Sequence, residues 1–134
     1  MTGIERTNEF LKNAKTYYLA SVDENGKPHV RPFGTSEIFE GKLYIQTGRS
    51  KEVAKQIAKN PNVEISAMVG GEWIRLSGEL VDDNRREAKE HMLEAYPSLK
   101  GMYSADDDNT EVLYFKNAKA VFCSFTKEPE VVEF

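Results

Sequence analysis

The stretch from Val63 to Val81 constrains this chain more than any other. Val63, Ile65, Ala67 and Val69 alternate with Glu64, Ser66 and Met68; Gly70-Gly71 then turns the chain, and EWIRLSGELV runs back over 72 to 81. Alternation at period two gives a strand one apolar face, and a Gly-Gly pair supplies the backbone freedom that a tight hairpin turn needs. This is the longest hairpin in the sequence, and it makes an antiparallel sheet the frame into which the remaining segments must fit.

Other segments extend that sheet or punctuate it. Thr2 followed by Glu5 is a capping-box pattern, and Ile4, Phe10, Leu11 and Ala14 form an apolar stripe, so the spacing predicts a helix over 3–14. TYYLASV at 16–22 is aromatic and β-branched and runs into Asp23-Glu24-Asn25-Gly26, a turn signal, after which 28–34 reads as the second arm of a hairpin. A third strand covers about 35–39, and Glu40-Gly41 turns into a fourth at 43–47. From Ser50 to Asn60 the period becomes helical, with Val53, Ala54, Ile57 and Ala58 on one face and Lys51, Lys55 and Lys59 on another; Asn60-Pro61 ends it. Asn84 with Glu87 reads as the cap of a third helix reaching about Ala95, with Ala88, Met92, Leu93 and Tyr96 inward and Pro97 as its stop. Residues 98–110 read as an exposed loop, and EVLYFK and KAVFCSFT as two last strands. Six to seven strands with helices at the start, after the fourth strand and after the sixth indicate a mainly β fold, an antiparallel barrel with helices packed at its ends.

Composition sets the outer limits. The 134 residues suit one domain, 1–134, and 40% hydrophobic with 30% charged residues is ordinary for a globular chain. No apolar run approaches the roughly 20 residues of a membrane span, the N-terminus lacks the apolar core of a secretion signal, and the single cysteine has no partner for an internal disulfide. A reducing cytoplasm is the expected compartment, with no membrane partner. Net charge −4 gives no basis for a nucleic-acid partner and counts against a single-strand-binding barrel. His29, His91 and Cys123 lack metal-ligand spacing, so structural roles are expected for them; Asp106-Asp107-Asp108 reads as a solvated loop. No Ser-His-Asp or Cys-His pattern stands out.

Local positive charge is a different matter. Arg49, Lys51, Lys55 and Lys59 gather where the fourth strand hands over to the second helix, and a helix start favours an anion, not a cation. Taken alone, Ser50 is an N-cap and Lys51 a solvated lysine in the first turn; together with their neighbours they ask for a phosphate, to which Thr47 could offer its hydroxyl. Arg49 reads equally as an outer cation or as plain surface. Arg31 precedes Pro32, which removes an N–H and stiffens an edge, suiting a planar ring lying against backbone, or simply blunting that edge beside a surface ion pair.

In order and spacing, His29-Val30-Arg31-Pro32-Phe33-Gly34, Gly41-Lys42-Leu43-Tyr44-Ile45-Gln46-Thr47, Ser50-Lys51 and Trp73-Ile74-Arg75-Leu76-Ser77-Gly78 resemble the flavin-binding split barrels related to pyridoxamine 5'-phosphate oxidase. The likeness runs from about Phe10 to Phe125 and is nearer to the short branch that includes the NimA-related proteins than to the true oxidase. It implies a Greek-key FMN-binding split barrel, FMN as cofactor, a homodimer with the flavin at its interface, and a small-molecule redox substrate for a small oxidoreductase. By the same resemblance Ser50 and Lys51 contact the flavin phosphate, the segment Arg31, Pro32, Phe33 and Gly34 passes along the ring with the arginine turned to phosphate or ribityl oxygens, and Gln46 is the cofactor-binding position before Thr47, whose backbone faces the ring. Trp73 stands where the true oxidase has a polar flavin contact, so stacking near the flavin, shielding it and packing at a dimer interface are all open. The chain lacks the longer C-terminal segment of the true oxidase, which points away from vitamin B6 synthesis, and the NimA-related branch suggests nitroimidazole reduction. The alternatives are a non-catalytic flavin carrier or sensor, and a binding module for a deazaflavin or haem.

Overall fold

The hairpin of residues 63–81 lies at the centre of one antiparallel sheet, seen in a computed structural model that describes residues 1–134. In chain order the elements are α1 (Gly3–Ala14), β1 (Tyr17–Val22), β2 (Pro28–Phe33), β3 (Glu37–Phe39), β4 (Lys42–Gly48), α2 (Glu52–Lys59), β5 (Asn62–Val69), β6 (Glu72–Asp82), α3 (Arg86–Ala95), a 3-10 turn (Pro97–Gly101), β7 (Thr110–Ser124) and β8 (Glu130–Glu133). The strand order is β2-β1-β5-β6-β7-β4-β3, with β8 added on β7.

This order forces the sheet to roll up. β2 and β3 are its two edges, yet only residues 34–36 separate them in sequence. Four extended residue steps reach about 14 Å, whereas the edges of a flat seven-stranded sheet would stand about 28 Å apart. Thr35, in the link, ties the halves together: its carbonyl accepts the Tyr17 hydroxyl of β1 at 2.6 Å and its Oγ1 accepts the Gln46 N–H of β4 at 2.9 Å. The apolar faces turn inward on one core of 19 buried residues, including Leu19, Leu43, Ile65, Leu76 and Ala120 from the strands and Leu11, Val53 and Ile57 from α1 and α2. The architecture is mainly β, the antiparallel barrel that the pattern anticipates and the split barrel that the resemblance implies.

Local chemistry places the ends of the elements. The Thr2–Glu5 capping box forms in both directions, at 2.8 and 3.2 Å. In the β1–β2 turn, Gly26 takes φ +78° while Asp23 Oδ1 accepts the N–H groups of Asn25 and Lys27. The third helix departs from its sequence reading: Asn84 does not cap it, because its Oδ1 is taken by Arg49 at 3.0 Å, and α3 starts at Arg86 without a side-chain cap.

The sheet itself also differs from expectation. The two last strands of the sequence reading are one 15-residue strand, β7, and a further strand, β8, pairs with its second half through Lys119–Phe122. The pairing of β6 with β7 slips by one residue, from Ser77 opposite Lys119 to Glu79 opposite Lys116, and Asn117 at the slip takes φ +53°. This bulge bends β7, so that its first half pairs with β4 and its second half with β8. Opposite it, a Cβ on Gly78 would lie 3.1 Å from the Phe115 ring and 3.2 Å from the Ala118 Cα. Gly78→Val should therefore cost about 1–3 kcal/mol in urea unfolding, whereas Gly71→Ala, whose Cβ meets nothing within 4 Å, should stay within about 0.5 kcal/mol.

Candidate functional site

The buried link at Thr35 lies beside a cleft of about 310 Å³, a size at the lower end of the roughly 300–1,000 Å³ typical of small-molecule sites. The end of β2 contributes Arg31, Pro32 and Phe33, the link Gly34 and Thr35, β4 Gln46 and Thr47, and the start of α2 Lys51 and Val53. The segment after α3 supplies Tyr96, Ser98, Leu99, Met102 and Tyr103. Arg31, Pro32, Phe33, Gly34, Gln46, Thr47 and Lys51, singled out from sequence, thus meet in one place.

Ser50 and Trp73 are not in the lining. The α2 helix begins at Glu52, not Ser50; the Ser50 N–H donates to Asn109 Oδ1 at 3.0 Å, and its side chain sits in an exposed turn before the helix. Lys51 becomes the N-cap residue, with no side-chain cap bond, so the first N–H groups of α2 are left unclaimed by the chain's own side chains. Trp73 packs on Phe125 with ring centroids 5.0 Å apart, at the start of β6. The cleft residues after α3 escaped the sequence reading, which took 98–110 as exposed loop. The signal was the apolar spacing of Leu99, Met102 and Tyr103 just after Tyr96-Pro97, and the Tyr96 hydroxyl anchors that segment by bonding the N–H and carbonyl of Ser36 at 2.9 and 2.8 Å.

Three features of the cleft ask for a ligand. Gln46 is 6% exposed, and neither its Oε1 nor its Nε2 has a hydrogen-bond partner, an expense a fold seldom tolerates without purpose. Of the six arginines, Arg6, Arg49, Arg75, Arg85 and Arg86 pair with carboxylates and Arg31 does not. Its guanidinium bonds only neutral oxygens, those of Ser21 at 2.7 Å, Gln56 at 3.1 Å, Leu19 at 3.2 Å and His29 at 3.3 Å, and burial lowers its pKa from the ordinary value. Lys51 makes no ion pair either, and the lining contains no Asp, Glu, His or Cys. Two uncompensated cations, a helix start and an unsatisfied amide suit a ligand with an anionic end and a polar edge.

The other cations of the sequence cluster are occupied. Arg49 bonds Asp82 through both terminal nitrogens at 2.6 and 3.0 Å and Glu111 at 2.9 Å; Lys55 pairs with Glu52 and Lys59 with Glu24. Arg49 is thus a structural clasp joining β4, β6 and β7. Glu111, which faces Thr47 across the β4–β7 ladder, is 6% exposed and its Oε1 has no partner. Burial, and then the neighbouring Asp82 carboxylate, push the Glu111 carboxyl up to about 7 against the pull of Arg49. Asp83, by contrast, is held down at about 2 by hydrogen bonds from Arg85 and from the Tyr44 hydroxyl.

These shifts have opposite signs in stability. With its folded pKa above the unfolded one, Glu111 makes the folded chain bind more protons between about 4.5 and 7, so its contribution falls as pH rises through that window. Asp83 contributes above the ordinary aspartate range and is lost as pH falls toward 2. Melting temperature should decline from pH 5 to 7.5 in the native chain, and Glu111→Gln should flatten that decline while leaving the acid limb below pH 4 in place.

Comparison with known proteins agrees with this geometry. The family described as pyridoxamine 5'-phosphate oxidase matches residues 4–123. A NimC/NimA family protein from Clostridium acetobutylicum is 49% identical, with a TM-score of 0.94 over 98% of this chain and 92% of that one. Two further structures share the fold at low identity. A pyridoxamine 5'-phosphate oxidase-related, FMN-binding protein from Nostoc punctiforme is 17% identical, with a TM-score of 0.62 over 98% of this chain and 92% of that one. A haem-binding protein from Mycobacterium smegmatis is 14% identical, with a TM-score of 0.76 over 99% of this chain and 58% of that one. No curated protein matches. The fold, the order of its motifs and the extent of these matches together make the chain a member of the pyridoxamine 5'-phosphate oxidase-like split-barrel family, on its NimC/NimA side.

Proposed function

We propose that the cleft binds FMN and that the protein is a small flavin-dependent oxidoreductase. The observation that carries this reading is a cleft with two cations lacking counter-ions, no carboxylate, and a buried amide with both polar atoms free. Arg31, Lys51 and the start of α2 would hold the phosphate, while Pro32, Phe33 and Gly34 would lie along the ring and Gln46 would meet its polar edge. FMN supplies the redox chemistry, and the chain's own residues bind, orient and shield it. Haem fits less well, because the lining has neither histidine nor cysteine and the Tyr96 hydroxyl is engaged by Ser36, which leaves only Met102 and Tyr103 as axial ligands.

A homodimer belongs to the same proposal. The cross-strand register puts Pro32, Tyr18, Ser66 and Arg75 in one outward row that continues through Val121 to Val131, with Met68, Trp73 and Cys123 in the next. Tyr18, Met68 and Val131 are 52%, 60% and 51% exposed, so this face of the sheet carries apolar side chains in water. Apolar surface gathered on one face is what a second copy would cover. Pro32 belongs both to this row and to the cleft, which would bring the partner subunit against the bound ring. In such a dimer Trp73 would lie in the interface.

No group that titrates near neutrality lines the cleft, so a dedicated reductase and a passive flavin carrier would share the same binding site. Turnover separates them, with a nitroimidazole under anaerobic conditions as the first substrate and a nicotinamide or chemical reductant as donor. FMN should bind saturably and more tightly than riboflavin, and Arg31→Ala and Lys51→Ala should each weaken FMN about tenfold, the loss of a charge-assisted contact of about 1.5 kcal/mol. Protein that ignores FMN in a fluorescence titration would remove the flavin reading. Sedimentation should give a dimer, and Tyr18→Glu combined with Val131→Lys should yield a folded monomer with FMN affinity reduced at least tenfold.

A further inference from the structure

Arg31 raises a question beyond its own role: what keeps a half-buried cation in place when no carboxylate neutralises it. The answer lies in Ser21 on β1 and Gln56 on α2. The Ser21 hydroxyl, 2% exposed, accepts from Arg31 Nη1 at 2.7 Å and donates to Gln56 Oε1 at 2.5 Å. Gln56 Oε1 also accepts from Arg31 Nη2 at 3.1 Å, while the Nε of Arg31 makes no bond within the chain. Gln56 lies on the same helix whose start presents Lys51 to the cleft, so one short element fixes both cations.

The chemistry of Gln56 matters because of the residue it is not. A glutamate at this position would have nearly the same shape and would give Arg31 the ion pair that each of the other five arginines has. An amide oxygen orients the guanidinium by hydrogen bonding and leaves its full charge to act on whatever enters the cleft. We propose that Ser21 and Gln56 are positioning residues that hold Arg31 as an uncompensated cation, and that the neutrality of Gln56 sets the preference for a phosphorylated ligand over its unphosphorylated form. This rests on the reading of the cleft as a phosphate site.

The test measures inorganic phosphate by its competition with FMN and by thermal stabilisation, and FMN and riboflavin by fluorescence, in the native chain, Gln56→Glu and Gln56→Ala. Gln56→Glu should fold, with an unchanged or higher melting temperature, and should lose about tenfold or more in affinity for phosphate and FMN, while riboflavin changes less than about twofold. Gln56→Ala, which frees the guanidinium without neutralising it, should lower the FMN-to-riboflavin preference about threefold and serves if the glutamate variant does not fold. Equal affinity for FMN in the native chain and Gln56→Glu would overturn the proposal. So would a loss shared equally by FMN and riboflavin, which marks a merely structural role, and so would a native chain that phosphate does not stabilise. Phosphate stabilisation that depends on Gln56 without any binding of FMN would sink the flavin reading alone and leave the clamp standing.

Discussion

Residues 34–36 join the two opposite edges of a seven-stranded sheet, and the rest of the molecule follows from that short tether. A link of that length closes only if the sheet rolls, and rolling turns every inward row onto the same core. Thr35 and Ser36 of the tether are buried, and Thr35 hydrogen-bonds both halves, so the place where the barrel is split is also held at a fixed width. The cleft lies beside that tether, between the end of β2 and Gln46 and Thr47 of β4.

The long strand β7 accommodates the roll from the other side. Regular pairing over all its 15 residues would keep it straight, and the slip at Asn117 opposite Gly78 lets it serve β4 with one half and β8 with the other. The same strand carries Glu111, which with Asp82 closes around Arg49 just before the cleft. Structural charge and ligand-seeking charge are thereby kept apart: Arg49 is consumed by internal carboxylates two residues from Lys51, which is not. Electrostatic selectivity in this site comes from withholding counter-ions from Arg31 and Lys51, while each of the other five arginines and the neighbouring Lys55 and Lys59 have one.

Much of this was legible in the residues themselves. The capping box at Thr2 and Glu5, the alternating hairpin after Asn62, and the helical stripe of Val53, Ala54 and Ile57 each depend on neighbours within a few positions, and each appears where the pattern puts it. Motif order brought Arg31, Pro32, Phe33, Gly34, Gln46, Thr47 and Lys51 together, and these do line one cleft. The departures share one cause. Asn84 fails as a cap because an arginine 35 residues away claims it, and Ser50 is set in its turn by Asn109, 59 residues away. The tail beyond Glu128, for which the residue pattern predicts no strand, forms β8 because the second half of β7 offers it a free edge.

By itself the sequence determined the element types, the antiparallel frame, and the family, because periodicity, caps and turn residues act over short range and motif order is a property of the string. Which cations remain unpaired was decided only in three dimensions. Arg31 and Arg49 are indistinguishable as letters, and their fates differ because strand order brings Asp82 and Glu111 to one and only Ser21, Gln56 and backbone carbonyls to the other. The unsatisfied amide of Gln46 and the wall from Tyr96 to Tyr103 likewise exist only after the sheet has rolled, since each depends on residues far apart in the chain being brought together.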